Sequence, residues 1–83
     1  MKAAVLVAPP VARMDCSAIS RIECPGLILA GQMDAYGPPG KVQELVGDKE
    51  NLRIEAIAGA GHFFTKGLGQ VGLLVREWLA QLR

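Results

Sequence analysis

The sequence lacks a charge imbalance, a long apolar run and any leader-like segment. Nine Lys and Arg residues stand against eight Asp and Glu residues, and the basic residues are scattered. Nucleic acids and anionic membranes bind dense basic patches, so neither is expected as a partner. The apolar run at residues 3–8 is shorter than a signal-peptide core and far shorter than a membrane span. The sequence therefore predicts a cytoplasmic protein.

Cysteine and histidine are also scarce. The two cysteines, Cys16 and Cys24, are eight positions apart and form no Cys-x-x-Cys pair, and the chain has a single histidine. A structural zinc site requires four such ligands, and disulfides belong mainly to exported proteins. We expect two reduced thiols, no metal and no cofactor.

The 83 residues allow one compact domain, residues 1–83, with no second core. A domain of this size buries only about 60–65% of the surface that its unfolded chain exposes. Its stability is expected to be marginal unless another surface covers it, so association is expected.

Three segments have the composition of β-strands. The first, from Ala3 to Ala8, is a continuous apolar run ended by two prolines, which is typical of a strand buried on both faces of a parallel sheet. The second, residues 26–31, is aliphatic and is followed by a loop rich in glycine and proline. The third, residues 51–58, alternates Leu52 and Ile54 with polar side chains and Ile57, which predicts an edge strand whose second face is mostly exposed.

Two helices complete the pattern. The first is predicted over Pro39–Val46, with proline in its first turn and glycine at its end. The last closes the chain over about fifteen residues, and its apolar side chains, Trp78 among them, recur every three or four positions. A single helical turn is expected near Ser17, where Asp15 or Ser17 itself would cap it.

This order of elements predicts an α/β fold, a three-stranded parallel sheet flanked by helices. The loop after the second strand contains Asp34, and the loop after the third contains His62. Neighbouring parallel strands lie about 4.8 Å apart and end at the same edge, so the two side chains are expected within hydrogen-bonding reach. A carboxylate on one imidazole nitrogen orients a histidine as a general base.

These motifs resemble the C-terminal part of the α/β-hydrolases, particularly the small lid-less ones akin to dienelactone hydrolases. The resemblance rests on residues 25–34, which end in Gly-x-x-Asp, and on Gly-x-Gly-His-Phe-Phe at residues 59–64. It implies that the fold equals the last strands of that family, that Asp34 is the acid of a Ser-Asp-His triad, and that His62 is its base. A small ester or lactone is the implied substrate.

The nucleophile of such a triad is absent. The family's serine occupies a Gly-x-Ser-x-Gly turn, which this sequence lacks, and its only serines, Ser17 and Ser20, stand without flanking glycines. Cys16 is an alternative nucleophile on chemical grounds, but no oxyanion donors are evident beside it. The plainer interpretation is that Cys16 is a partly buried thiol in a linker and that the two serines belong to the same linker.

A glycine pattern at residues 67–72 matches the dinucleotide fingerprint Gly-x-Gly-x-x-Gly. The fingerprint requires a preceding strand and an acidic residue about twenty positions later, yet eleven residues follow Gly72. The glycines are better explained by the last helix, because they allow it to begin close against the sheet.

Three hypotheses follow. The chain is part of a truncated or split serine hydrolase whose serine comes from another segment, or a non-catalytic homodimer or binding module, or a weak hydrolase using Cys16 or a serine. In the family fold the first strand, residues 3–8, would pair with a preceding strand, so its outer edge is left open. We expect two copies to pair there in antiparallel fashion as a homodimer with one six-stranded sheet.

Overall fold

The computed structural model describes residues 3–12, 14–62 and 67–82. A short 3-10 helix follows the first strand, and strands and helices then alternate to the end of the chain. The elements in chain order are β1 (Ala4–Val7), the 3-10 helix (Ser17–Arg21), β2 (Gly26–Gly31), α1 (Pro39–Val46), β3 (Leu52–Ile57) and α2 (Leu68–Gln81).

The strands form one parallel sheet in the order β1-β2-β3. Val5 lies beside Leu27, and Leu27 lies beside Arg53. The predicted fold class, an α/β protein with a three-stranded parallel sheet, is confirmed. All six residues of the central strand β2 are buried, as its uninterrupted aliphatic composition indicates.

Side chains of β2 alternate between two hydrophobic layers. Leu27 and Leu29 point to the layer that contains Trp78 of α2. Ile28 and Ala30 point to the opposite layer, which contains Val42 and Val46 of α1 and Ile19 of the 3-10 helix. The sheet is therefore covered by α2 on one face and by α1 with the 3-10 helix on the other.

The prediction that β1 is buried on both faces is wrong. Leu6 packs against the layer of α1, but Val5 and Val7, on the opposite face, are 40% and 48% exposed. The register places them beside Leu27 and Leu29, which α2 covers. The described helix α2 lies over β2 rather than over β1, so the valines at the edge of the sheet stay open.

The prediction for β3 is partly wrong. β3 is an edge strand, as expected, and Leu52 is buried. Ile57, assigned to the exposed face, is fully buried against α2, whereas Ala56 is exposed. The error arises because α2 covers the end of the strand on that side.

Helix α2 begins after Gly67, whose φ is 84°, and its Trp78 is 7% exposed within the core. The sequence predicts that Phe63, Phe64 and Trp78 are core residues; the prediction is confirmed for Trp78, and Phe63 and Phe64 lie outside the described residues. No helix in the described part of the chain has the length and apolar character needed to cross a membrane.

Candidate active site

Asp34 lies in the turn that follows β2. The backbone N–H of Asp34 donates to the carbonyl of Gly31 at 3.1 Å, which folds the chain back directly after the strand. The aspartate is 2% exposed, and its carboxylate is the buried acidic group of the described core. A carboxylate at this depth requires several hydrogen-bond donors.

The loop after β3 is joined to this turn by backbone hydrogen bonds. The N–H of Gln32 donates to the carbonyl of Ile57 at 3.0 Å, and that of Met33 donates to Ala60 at 2.9 Å. Two loops at the carboxyl ends of neighbouring strands are therefore held in register just before Asp34 and His62.

This close approach of the loops depends on a glycine. A Cβ at Gly31 would overlap the carbonyl oxygen of Ala60 and lie 2.9 Å from its carbonyl carbon. Both obstructing atoms belong to backbone, which cannot rotate away. Gly31 thus ends β2 with the one residue type that lets the histidine loop pack beside the aspartate turn.

The two predicted site residues meet. Nδ1 of His62 lies 3.1 Å from Oδ2 of Asp34, and the side chains are 25% and 0% exposed respectively. The buried carboxylate accepts the proton on Nδ1 when the imidazole is in that tautomer. In that state Nε2, on the other side of the ring, has the lone pair that a general base uses.

The second carboxylate oxygen is held by the turn itself. Oδ1 of Asp34 accepts the backbone N–H of Tyr36 at 2.8 Å and that of Gly37 at 3.3 Å. One oxygen thus binds the turn and the other faces the histidine. Asp34 therefore makes the local turn contact common for aspartates and also contacts the histidine.

Sequence reasoning missed Tyr36. Its ring centroid lies 4.7 Å from that of the His62 imidazole, with 40° between the planes. The sequence indicates only the backbone contact of Tyr36, because an aspartate in a turn is expected to accept the N–H two residues later. Nothing in the sequence indicates the direction of the ring.

The loop after β1 supports the same turn. Its Ala12 N–H donates to the carbonyl of Tyr36 at 2.7 Å. Gly37 packs so tightly on this loop that a Cβ would overlap the carbonyl oxygen of Pro9. Segments following all three strands therefore converge at the site.

The alternative nucleophiles lie around the 3-10 helix, on the α1 face. Cys16 packs against the layer of α1 and borders a cleft of about 410 Å³ that Lys41 and Glu44 also line. Ser20 Oγ donates to the carbonyl of Ser17 at 2.7 Å. The structure thus places Cys16 and both serines in the connection between β1 and β2, and places His62 beside Asp34 and Tyr36.

Asp15, in the segment between β1 and β2, has a carboxyl group whose pKa is lowered. The N–H of Ser17 donates to its Oδ1 at 3.0 Å, and hydrogen bonds from Ser17 hold the pKa of the Asp15 carboxyl below its ordinary value.

Within residues 3–12, 14–62 and 67–82, no group of three or more His, Cys, Asp or Glu side chains is arranged to bind a metal. Cys16 and Cys24 are free thiols.

Comparison with solved structures identifies a similar architecture. An alpha-beta serine hydrolase homologue from Coxiella burnetii superposes with a TM-score of 0.72 and 30% sequence identity, over 90% of this chain. The fold is α/β-hydrolase-like. The chain spans 37% of the length of that structure.

A curated sequence also matches part of the chain. The polyketide synthase ThaQ of Burkholderia thailandensis is 40% identical over 58 residues, which are 66% of this chain and 3% of the synthase. No protein-family model matches the sequence.

Proposed function

We propose that this chain supplies the general base and its orienting acid to a serine hydrolase that acts on esters or lactones. In this proposal His62 takes the proton of a serine hydroxyl, and Asp34 holds the imidazole. The serine and the oxyanion-hole amides come from a further polypeptide segment. The observation that carries the proposal is the 3.1 Å contact between His62 Nδ1 and Asp34 Oδ2.

Burial and position support these roles. The side chain of Asp34 is fully buried and that of His62 is 25% exposed, so the acid is shielded from water while the imidazole remains accessible. Both follow strands of a parallel α/β sheet, where ligands bind beyond the carboxyl ends. The similarity to a serine hydrolase homologue agrees with this chemistry.

Part of the chain also matches a polyketide synthase, over 3% of the length of that protein. An assay panel should include activated acyl esters, a lactone and an acyl thioester.

A chimera tests the proposal. The last strands of an active, lid-less α/β-hydrolase would be replaced by this chain, so that the host supplies serine and oxyanion hole. We expect ester turnover by the chimera and none by its His62→Ala variant, because the host retains no other base. The parent hydrolase and the isolated chain are assayed in parallel.

Two outcomes would count against the role of His62. One is a chimera that melts cooperatively yet hydrolyses no ester of the panel. The other is turnover that survives the His62→Ala substitution.

A homodimer without catalysis is the second candidate, and the open edge of β1 favours it. The N–H groups of Ala4 and Ala8 donate inward, to Pro25 and Leu29 of the neighbouring chain segment. Because peptide groups alternate along a strand, the N–H and C=O groups of Val5 and Val7 point outward. Their side chains are also exposed, at 40% and 48%.

A two-fold axis at Leu6 would pair the outward backbone groups of two copies and would also bring their exposed valine side chains together. Val5 of one copy would face Val7 of the partner subunit, and each such pair exchanges two backbone hydrogen bonds. Two pairs related by the axis form four bonds and bring four valine side chains together on one face. The two edges would then join two three-stranded sheets into one.

Light scattering tests this dimer. The wild-type chain is expected at twice its monomer mass of 8.8 kDa, and Val7→Lys is expected to give monomer, because it puts two charges at the shared edge. Leu73→Lys, on the 54% exposed Leu73 of α2, is the matched control and should stay dimeric. A monomeric wild type at micromolar concentration, or a dimeric Val7→Lys variant, would exclude pairing at this edge.

A further inference from the structure

Tyr36 contacts both members of the Asp34–His62 pair by different groups. Its backbone N–H donates to Oδ1 of Asp34 at 2.8 Å, while its ring lies 4.7 Å, centroid to centroid, from the imidazole of His62. The carboxylate bridges these two contacts through its other oxygen, which lies 3.1 Å from His62 Nδ1. Asp34, His62 and Tyr36 therefore each contact the other two.

The tyrosine is itself fixed by its main chain. Its carbonyl accepts the N–H of Ala12 at 2.7 Å, so the residue is anchored on one side to Asp34 and on the other to the loop after β1. The residue is 38% exposed. The ring is carried by this anchored main chain and lies beside the imidazole, where it restricts the orientations that the imidazole adopts.

Orientation is the property that a histidine base needs. An imidazole held by its hydrogen bond to Asp34 still rotates about its side-chain torsions, and such rotation takes Nδ1 away from the carboxylate and changes the direction of Nε2. Aromatic rings in tilted contact attract each other enough to change a conformer population by about two- to tenfold. A ring held at 4.7 Å therefore favours the orientation in which Nδ1 faces Asp34.

We propose that Tyr36 is a positioning residue for His62. Its ring holds the imidazole with Nδ1 on the carboxylate, which directs Nε2 away from Asp34 and toward substrate. The inference rests on the proposed function of His62 as a base, and it adds a residue to the Asp34–His62 pair.

Nuclear magnetic resonance of the imidazole tests the proposal without any turnover. The chain has one histidine, so the ring nitrogens of a ¹⁵N-histidine sample belong to His62 alone. We expect a dominant Nδ1–H tautomer with slow solvent exchange in the wild type. In Tyr36→Leu the backbone contacts remain possible but the ring is lost, and exchange of the Nδ1 proton should accelerate by about two- to tenfold.

Three further variants make the result specific. Tyr36→Phe keeps the ring and should keep the wild-type tautomer, whereas Tyr36→Met, a second variant without a ring, should behave like Tyr36→Leu and replaces it if Tyr36→Leu does not melt cooperatively. Met33→Leu alters a 71% exposed side chain in the same turn and is the matched control. Unchanged exchange and tautomer in a folded Tyr36→Leu or Tyr36→Met protein would overturn the positioning role.

The chimera gives a second, separable readout. Loss of the ring should lower kcat by about two- to tenfold with little change in KM, because the misplaced base affects the chemical step rather than substrate binding. If the chimera is inactive but the tautomer depends on the ring, the proposed hydrolase function fails while the positioning role stands. If the chimera is active but the tautomer and the proton exchange of His62 do not depend on the Tyr36 ring, the hydrolase function stands and the positioning role fails.

Discussion

Replacing Trp78 with alanine is expected to destabilise the fold by about 3–5 kcal/mol, the usual cost of truncating a buried aromatic side chain. Trp78 is 7% exposed and packs in the layer formed by Leu27, Leu29 and Ile57. Globular proteins are stable by about 0.05–0.15 kcal/mol per residue, which is about 4–12 kcal/mol for 83 residues. The substitution therefore removes a large part of the total stability, or all of it.

Urea denaturation followed by far-ultraviolet circular dichroism measures this loss. Dichroism is required because Trp78 is the only tryptophan, so the variant loses its main fluorescent probe. In thermal melts each 1 kcal/mol lowers Tm by about 4–8 °C in a domain of this size. If the wild-type stability lies at the lower end of the range given above, most molecules of the variant are unfolded at 25 °C.

Leu73→Ala is the matched control in the same helix. Leu73 is 54% exposed, and exposed substitutions usually change stability by no more than about 0.5 kcal/mol. If Trp78→Ala melted like wild type, the packing of α2 on the sheet described above would be wrong.

The effect of Trp78 reaches the site through the end of β3. Ile57 and Ala60 belong to the same buried layer as Trp78, and their carbonyls accept the hydrogen bonds of Gln32 and Met33 that join the two loops. Loss of this layer frees the loop that positions His62. Stability and site geometry are therefore coupled in this small domain.

The sheet and the Asp34–His62 contact could be predicted because both follow from local sequence and strand geometry. Aliphatic runs separated by turn residues define β2, and parallel neighbours end at one edge of a sheet. Asp34 and His62 follow two such neighbours, so their contact requires no long-range information. Pro39 and Gly47 likewise mark the limits of α1 by rules that act within a turn.

Burial at the sheet margins could not be predicted in the same way. Val5, Val7 and Ile57 are all aliphatic residues in strands, yet the first two are exposed and the third is fully buried. The difference is the position of α2 over β2 and the end of β3, which is set by packing across the whole domain. The contact of Tyr36 with His62 could not be predicted either, because it depends on the direction of the tyrosine ring, which places the two ring centroids 4.7 Å apart.

Asp34→Asn is expected to preserve the fold and reverse the histidine tautomer. Oδ1 of Asp34 accepts two backbone N–H groups, from Tyr36 and Gly37, so the asparagine must direct its carbonyl oxygen there and its NH₂ group toward His62. Turned the other way, the NH₂ group would meet two donors. An NH₂ facing Nδ1 is a donor, which requires Nδ1 to be the acceptor and puts the imidazole proton on Nε2.

A histidine with its proton on Nε2 cannot accept one there. The corresponding substitution in a serine-protease triad leaves the geometry intact and lowers kcat by about 10⁴-fold, and a loss of that order is expected in the chimera.

Imidazole ¹⁵N shifts of the variant chain should change from an Nδ1–H to an Nε2–H tautomer. Asp15→Asn is the matched control, because Asp15 also accepts a backbone N–H in a turn but lies in the connection before β2. It should change neither the tautomer nor turnover. An Asp34→Asn protein that keeps the Nδ1–H tautomer and full activity would show that the carboxylate does not orient His62, and the assignment of the pair as acid and base would have to be abandoned.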